Sequence, residues 1–178
     1  IDYYFEFAAE NNFKSEMNTV YNCLNISVSK TDKNETFKYL LQKFKQNNPT
    51  VFEEFKYFEQ LLSKACFLEN FDLSNIITQL ILENKRDEDF TIPFFNAALS
   101  GSFEICKFLI DQKVFINYEK LSNQVSKLSV IDEKIFSLIV ENADNESKTV
   151  FLNCYLEQAI QKNNKGLIKY LLKNNSKS

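Results

Sequence analysis

The chain has 178 residues, of which 44% are hydrophobic and 25% are charged, and its formal net charge is −3. This composition excludes intrinsic disorder, gives no global reason to expect a nucleic-acid partner, and contains no apolar run of the roughly 18 residues that a membrane span needs. Two glycines and two prolines leave little turn chemistry for an all-β fold.

The N-terminal third predicts helices in a loosely repeating pattern. Because the chain begins with Ile1 rather than Met, we expect it to be a segment of a longer protein. Residues 5–9 have the pattern of a helix end, and apolar residues follow at helical spacing over 17–24. A polar loop is expected at 29–34. The run at 37–41 has the same character as 168–172, which suggests that the repeating pattern begins before residue 40.

A longer first helix is expected after Pro49. Thr50 and Glu53 have the spacing of a capping box, in which each side chain bonds the other residue's backbone N–H. An apolar face then continues for more than three turns and comprises Phe52, Phe55, Tyr57, Phe58, Leu61, Leu62 and Ala65.

The most informative stretch, residues 92–117, predicts two short helices joined by a tight turn. Pro93 suits the first turn of a helix, because its missing N–H is not needed there. Gly101 can take a positive φ and end that helix. Ser102 can then cap a second helix. The inward stripe of this second helix comprises Ile105, Phe108 and Leu109.

Columns of this pattern recur along the chain in one register. The aliphatic residue that opens the second helix recurs at separations of 32, 30 and 32 residues, as Leu73, Ile105, Ile135 and Leu167. Three residues before each lies a good N-cap residue: Asn70, Ser102, Asp132 and Asn164. A small residue marks the first helix as Ala65, Ala97 and Ala159, whereas the third copy has Ser126 or Lys127 there. One such pair cannot bury its own apolar face, so successive pairs are expected to stack.

These residues resemble the ankyrin repeat, whose consensus runs T-P-L-H-x-A-A-x-x-G-H-x-E-I-V-K-L-L-L. The match is ungapped at Pro93, Phe94, Ala97, Ala98, Gly101, Glu104, Ile105, Lys107 and Leu109. The resemblance covers residues 61–175 well and 1–60 loosely. It implies an all-α fold, an ankyrin-type α-solenoid of stacked helix–turn–helix repeats. We expect one domain over 1–178, with divergent repeats in 1–60 and clearer repeats at about 61–90, 91–120, 121–149 and 150–178. A tetratricopeptide solenoid is the runner-up, but its period of about 34 residues and its residue pattern are not seen.

In this family, extended loops that often form β-hairpin fingers connect the repeats. The equivalent stretches here are 84–91, 114–120 and 143–148, and they lack the usual finger residues, so we expect short or irregular fingers. Binding residues differ between members of the family, and none transfers by motif. An exposed aromatic side chain in such a loop would suit a protein partner. By loop position alone, the candidate partner-binding residues are Arg86, Asp87, Asp89, Phe90, Phe115 and Tyr118.

A search for reactive chemistry finds no constellation. The chain has no histidine, which removes Ser-His-Asp and Cys-His arrangements and His-ligated zinc. Its two glycines, Gly101 and Gly166, cannot form a phosphate-binding glycine loop. The acidic triplet at 87–89 lacks the other positions of a calcium loop and is better interpreted as solvated. We expect no catalytic, cofactor-binding or metal-ligating residues, although composition alone does not exclude a Lys- or Cys-based site.

The four cysteines are widely spaced and contain no C-x-x-C pair. In the register of the repeat, Cys66 and Cys106 point inward, which favours buried free thiols over disulfides or a metal site. Free thiols are typical of a reducing, intracellular setting.

Lysines are spaced by three or four residues near the end of the chain, as Lys162, Lys165, Lys169 and Lys173. They form either a basic patch for an acidic partner or a solvated outer face. The second interpretation is favoured, because a terminal repeat needs one polar face.

The function that the resemblance implies is non-enzymatic recognition of a protein partner through loops and first helices on a concave face. We expect a cytoplasmic monomer with no cofactor, nucleic acid or membrane partner. Most of the 18 phenylalanines and eight tyrosines fall at inward positions, which favours core packing over base stacking. Two alternatives remain: a structural spacer or intramolecular docking domain of a larger protein, and an enzyme on a helical scaffold.

Overall fold

The computed structural model describes residues 17–28, 34–47, 57–84, 88–125, 132–163 and 165–175, and all regular structure in these ranges is helical. Several sequence predictions fall outside these ranges: the helix end at 5–9, the capping box of Thr50 and Glu53, the third-copy positions 126 and 127, and Asn164. The described residues form ten helices, which are α1 (Met17–Val28), α2 (Asn34–Asn47), α3 (Phe58–Phe67), α4 (Phe71–Glu83), α5 (Thr91–Ser100), α6 (Phe103–Asp111), α7 (Tyr118–Val125), α8 (Glu133–Asn142), α9 (Asn145–Gln161) and α10 (Lys165–Asn175). Among them, none is both long enough and apolar enough to cross a membrane.

The chain divides into two compact units, Ile1–Asp87 and Glu88–Ser178. In the N-terminal unit, α1 packs against α2 and α3, and α3 packs against α4. Lys64 of α3 donates hydrogen bonds to both the backbone oxygen (2.8 Å) and the side-chain oxygen (2.7 Å) of Asn25 in the last turn of α1. A cation near the carboxyl end of a helix interacts favourably with the helix dipole. Burial lowers the pKa of the Lys64 ammonium group.

In the C-terminal unit, helices contact one another in a repeating order. Helix α5 packs against α6, its partner in a helix–turn–helix pair, and α9 packs against α10 in the same way. The first helices of successive pairs are also in contact, α5 with α7 and α7 with α9, and the second helix α6 contacts α8. Each pair therefore covers part of the apolar surface of the next.

The turn between paired helices has the same backbone geometry in three copies. Glu69, Gly101 and Asn163 all lie in the left-handed region, with φ of 56°, 82° and 52°. The backbone N–H of the following residue reaches back five residues, from Asn70 to Ala65 (3.0 Å) and from Ser102 to Ala97 (2.9 Å). These are the hydrogen bonds of a Schellman turn, which satisfies carbonyls at the end of the first helix. The prediction that Gly101 ends its helix with a positive φ is confirmed.

Three of the four predicted N-cap positions begin a second helix. The side chain of Asn70 accepts a hydrogen bond from the N–H of Leu73, and that of Asp132 accepts from Lys134 and Ile135. Ser102 occupies the N-cap position of α6, but its side chain makes no capping hydrogen bond.

Small side chains and thiols fill the interior at the repeated positions. Ala65, Ala97 and Ala159 are all buried, as are Cys66 and Cys106. All four cysteines are free. The thiol of Cys66 lies 3.6 Å from the hydroxyl of Ser74, and burial raises the pKa of this thiol to about 12.

Two predicted connections are shorter than expected, and no strand occurs in the described residues. The stretch 114–120 is helical from Tyr118, because Asn117 accepts a hydrogen bond from the N–H of Lys120 (2.9 Å) and starts the helix there. The stretch 143–148 is helical from Asn145. Here Asp144 accepts from the N–H and the hydroxyl of Ser147, both at 2.8 Å. Asn117 and Asp144 are therefore N-cap residues that the sequence analysis did not assign.

Candidate functional site

Four of the six predicted partner-binding residues lie in two neighbouring segments, 88–91 at the start of α5 and 114–120 before and within α7. We call these two segments together the loop junction. Asp89, Phe90, Phe115 and Tyr118 belong to it, whereas Arg86 and Asp87 lie outside the described residues. The junction is built by hydrogen bonds that connect one helix pair to the next.

The two phenylalanines of the junction have opposite environments. The backbone N–H of Phe90 donates to the carbonyl oxygen of Phe115 over 3.0 Å. The side chain of Phe90 is only 3% exposed, so the expectation that it offers an exposed aromatic contact is wrong. Phe115 is 64% exposed, more than any other large hydrophobic side chain in the described part of the chain.

Thr91 joins the two segments through its hydroxyl group. The Thr91 Oγ1 accepts a hydrogen bond from the backbone N–H of Asn117 over 2.8 Å. The same hydroxyl donates to the Asp89 carboxylate, which also accepts from the Thr91 N–H over 2.9 Å. Thr91 is buried, so its hydroxyl bonds in a site shielded from water.

An ion pair closes the edge of the junction. The Lys120 Nζ lies 2.9 Å from the Asp89 Oδ2. Burial alone would raise the pKa of Asp89, but the hydrogen bonds from Thr91 and Lys120 outweigh it and lower the pKa below its ordinary value. The Asp89 carboxylate therefore already accepts hydrogen bonds from Thr91 and Lys120 within the junction, which leaves few acceptor positions for a partner protein.

Tyr118 is half-buried in the first turn of α7 rather than displayed in a finger. Burial, with a smaller contribution from the charge of Asp144, raises the pKa of its phenol. Of the four predicted residues that the structure describes, Phe115 is the one that combines large exposed apolar area with a backbone hydrogen bond to the neighbouring segment.

Sequence reasoning missed three residues that build the junction: Thr91, Asn117 and Lys120. One signal was available, since Asp89 and Thr91 have the spacing at which an aspartate side chain bonds the backbone two residues later. The pairing of Lys120 with Asp89 spans 31 residues and leaves no local trace in the sequence.

No group of three or more Cys, Asp or Glu side chains in the described ranges could hold a metal ion. A shallow groove of about 380 Å³ on the C-terminal unit is lined by Phe103, Glu133, Lys134, Ser137, Leu138 and Glu141. Its charged groups are all exposed, and no buried acid, base or nucleophile lies among these lining residues.

Comparisons of the chain with protein-family models, with curated proteins and with solved structures gave no match.

Proposed function

We propose that this chain is a non-enzymatic scaffold of the ankyrin type that binds a protein partner, with Phe115 as its central contact. The observation that carries this proposal is the exposure of Phe115 on a backbone held in place by its neighbours. An aromatic side chain dominates interface energetics when it enters a pocket on the partner. Because its segment is already ordered, binding loses less conformational entropy than it would from a mobile loop.

The order of helix contacts in the C-terminal unit supports the ankyrin-type part of the proposal. In that arrangement the first helices of successive pairs lie side by side, and loops before them gather along one edge. The loop junction is such a meeting point, between the segment before α5 and the segment before α7.

A spacer or intramolecular docking role is the second candidate, and the same exposed residue distinguishes the two. A spacer needs a rigid body but has no use for a large exposed aromatic side chain at a hydrogen-bonded junction. An enzymatic role has no comparable support, because no convergent set of reactive groups accompanies the groove on the C-terminal unit.

Affinity capture with matched variants tests the proposal. The full chain would be immobilised as wild type, Phe115→Ala and Phe67→Ala, where Phe67 is a comparably exposed aromatic (52%) in the N-terminal unit. We expect one or more proteins to be captured by wild type and Phe67→Ala and to fall at least about tenfold with Phe115→Ala, equivalent to 1.4 kcal/mol. Equal capture by all three chains would reject Phe115 as the contact and favour the spacer.

A further inference from the structure

The connection between α6 and α7 has the composition of a β-strand. Val114, Phe115 and Ile116 form the only run of three apolar residues outside the helices in the described ranges. β-Branched and aromatic residues favour strands. Only Ile116 is buried, whereas Val114 is half-buried and Phe115 is 64% exposed. Core packing therefore explains one of these residues and leaves the other two without a reason to be apolar.

Hydrogen bonds along this connection alternate as they do along a strand. The Phe115 carbonyl oxygen and the Asn117 N–H, two residues apart, both bond the segment 88–91. In an extended chain, successive residues present their backbone groups to opposite edges. Val114 and Ile116 therefore face away from 88–91. We call the backbone N–H and C=O groups of these two residues the free edge.

The free edge has no partner in the part of the chain that the structure describes. Its N–H and C=O groups make no hydrogen bond to any described residue. The connection before α9 could have supplied one, because α9 packs against α7. It has only two residues, Ala143 and Asp144, and the Ala143 N–H donates to Ile139 at the end of α8. Ile116 is only 7% exposed, and the backbone groups of so buried a residue usually have a partner.

We propose that the free edge pairs with an extended segment of another protein, which adds to this connection as a strand adds to the edge of a sheet. Backbone hydrogen bonds to Val114 and Ile116 would hold the segment, and one of its apolar side chains would pack against Phe115. The inference rests on the proposed role of Phe115 and adds the conformation of the partner at that site.

The flanking helices favour a segment of another protein over a second copy of this chain. Helix α6 ends at Asp111 and α7 begins at Tyr118, so both lie close to the free edge. A second copy would bring the same two helices against them, whereas an extended segment can follow the edge alone. Charge does not select the segment, because the exposed charged residues between positions 111 and 120 are two of each sign. They are Asp111, Lys113, Glu119 and Lys120.

The test uses an uncharged synthetic peptide of about seven residues, a usual strand length, in which threonine and valine alternate between blocked ends. A matched peptide carries a methyl group on every backbone nitrogen and so has no backbone donor. NMR spectra of the isotope-labelled full chain would follow the binding of each peptide. We expect the first peptide to bind at least about tenfold more tightly than the methylated one, a difference of 1.4 kcal/mol.

Exchange of individual amide protons with solvent locates the pairing. At saturating peptide, exchange at Val114 and Ile116 should slow at least about tenfold, because their N–H groups donate to the peptide. Exchange at Phe115, whose backbone faces 88–91, should change less than about twofold. A peptide that only covered the Phe115 ring would not produce this alternation.

Variants of the chain separate the two contacts. Val114→Lys puts a charge at the free edge, as natural sheets do to block edge pairing, and should weaken binding at least about tenfold. Val114→Thr keeps a β-branched residue and is the control, with a change of less than about twofold. Phe115→Ala should weaken binding at least about threefold, because it removes the side-chain contact. The NMR spectrum of each variant shows whether it folds.

Three results would overturn the proposal. These are failure of the first peptide to bind, equal binding of both peptides, or equal slowing of exchange at Val114, Phe115 and Ile116. The role of Phe115 would survive any of them if affinity capture still depended on its ring, so the two failures are distinguishable. Sedimentation of the chain alone gives a further check. A dimer that dissociates in the Val114→Lys variant would assign the free edge to a second copy instead.

Discussion

Phe90 and Phe115 are joined by a backbone hydrogen bond of 3.0 Å, yet one side chain is in the core and the other is in solvent. The same contact therefore connects the interior of a helix pair with the most exposed large apolar side chain of the described residues. A rigid connection of this kind fixes the position of Phe115 before any partner arrives.

The first prediction separates the two phenylalanines by stability. Phe90→Ala should lower the free energy of unfolding by about 3–5 kcal/mol, because it removes a buried ring and leaves a cavity. Phe115→Ala should change it by less than about 0.5 kcal/mol, because the ring has few contacts to lose. Urea denaturation followed by circular dichroism measures both. A large loss with Phe115→Ala would mean that this ring packs against the fold.

The second prediction concerns the Thr91 hydroxyl. Thr91→Val keeps the shape of the side chain but removes the hydroxyl that accepts from the Asn117 N–H and donates to the Asp89 carboxylate, so we expect a loss of about 2 kcal/mol. Thr91→Ser retains the hydroxyl and serves as the control, with a smaller loss. If the valine variant were as stable as the serine variant, the two hydrogen bonds would contribute nothing to folding.

The third prediction concerns the pH dependence of the Asp89 contacts. The pKa of Asp89 is lowered in the folded chain, below the value of about 3.9 expected for an unfolded one. Its contribution to stability is then fully present above about pH 4 and is lost as pH falls through the folded-state pKa. Asp89→Asn should cost about 1 kcal/mol at pH 7, allowing for partial exposure of the ion pair. The difference between variant and wild type should shrink as the solution is acidified, whereas a constant difference would contradict the linkage.

The fourth prediction concerns the left-handed turns between helices. Glu69→Gly should stabilise the chain by about 0.5–1 kcal/mol, because glycine adopts a positive φ without the strain that glutamate carries. The reverse change, Gly101→Ala, should cost about 1 kcal/mol. An added Cβ at Gly101 has no neighbouring atom within 4 Å, so backbone strain alone sets this cost. Thermal unfolding of both variants is the measurement, and shifts of the same sign would contradict the argument.

The fifth prediction concerns a buried hydroxyl on α4. The Thr78 Oγ1 is buried and has no hydrogen-bond partner among the described residues. Thr78→Val replaces it with a methyl group of similar size and should stabilise the chain by about 1 kcal/mol. Ser74→Ala is the matched control, since the Ser74 hydroxyl contacts the Cys66 thiol and its removal should not stabilise. Destabilisation by valine would indicate a partner for the threonine hydroxyl.

The sequence predicted the parts of the fold that depend on local chemistry. Asn70 and Asp132 cap helices where expected, and Gly101 ends one. These outcomes follow from side-chain and backbone preferences that act within a few residues. Glu69, in the turn after α3, also has a positive φ. Glutamate does not favour this conformation, so here the fold imposes it on the residue.

The candidate site was harder to predict, because its geometry depends on contacts between distant segments. Phe90 and Phe115 both lie next to helices in loops, and nothing local says which ring turns inward. The hydrogen bond that joins their backbones spans 25 positions of the chain, and tertiary packing buries Phe90 while Phe115 stays exposed. The early start of α7 was missed for a different reason, since the capping role of Asn117 was local but unassigned.

The buried thiols have a practical consequence. Burial raises the pKa of the Cys66 thiol to about 12, so this thiol is almost wholly protonated in neutral solution, and only the thiolate attacks alkylating reagents. Cys66 is enclosed in the N-terminal unit and Cys106 in the C-terminal unit, so each records the opening of its own surroundings. Pulsed alkylation followed by mass spectrometry would measure the rate of modification of each of the two thiols separately. Comparing the two rates would reveal whether the two units open together or independently.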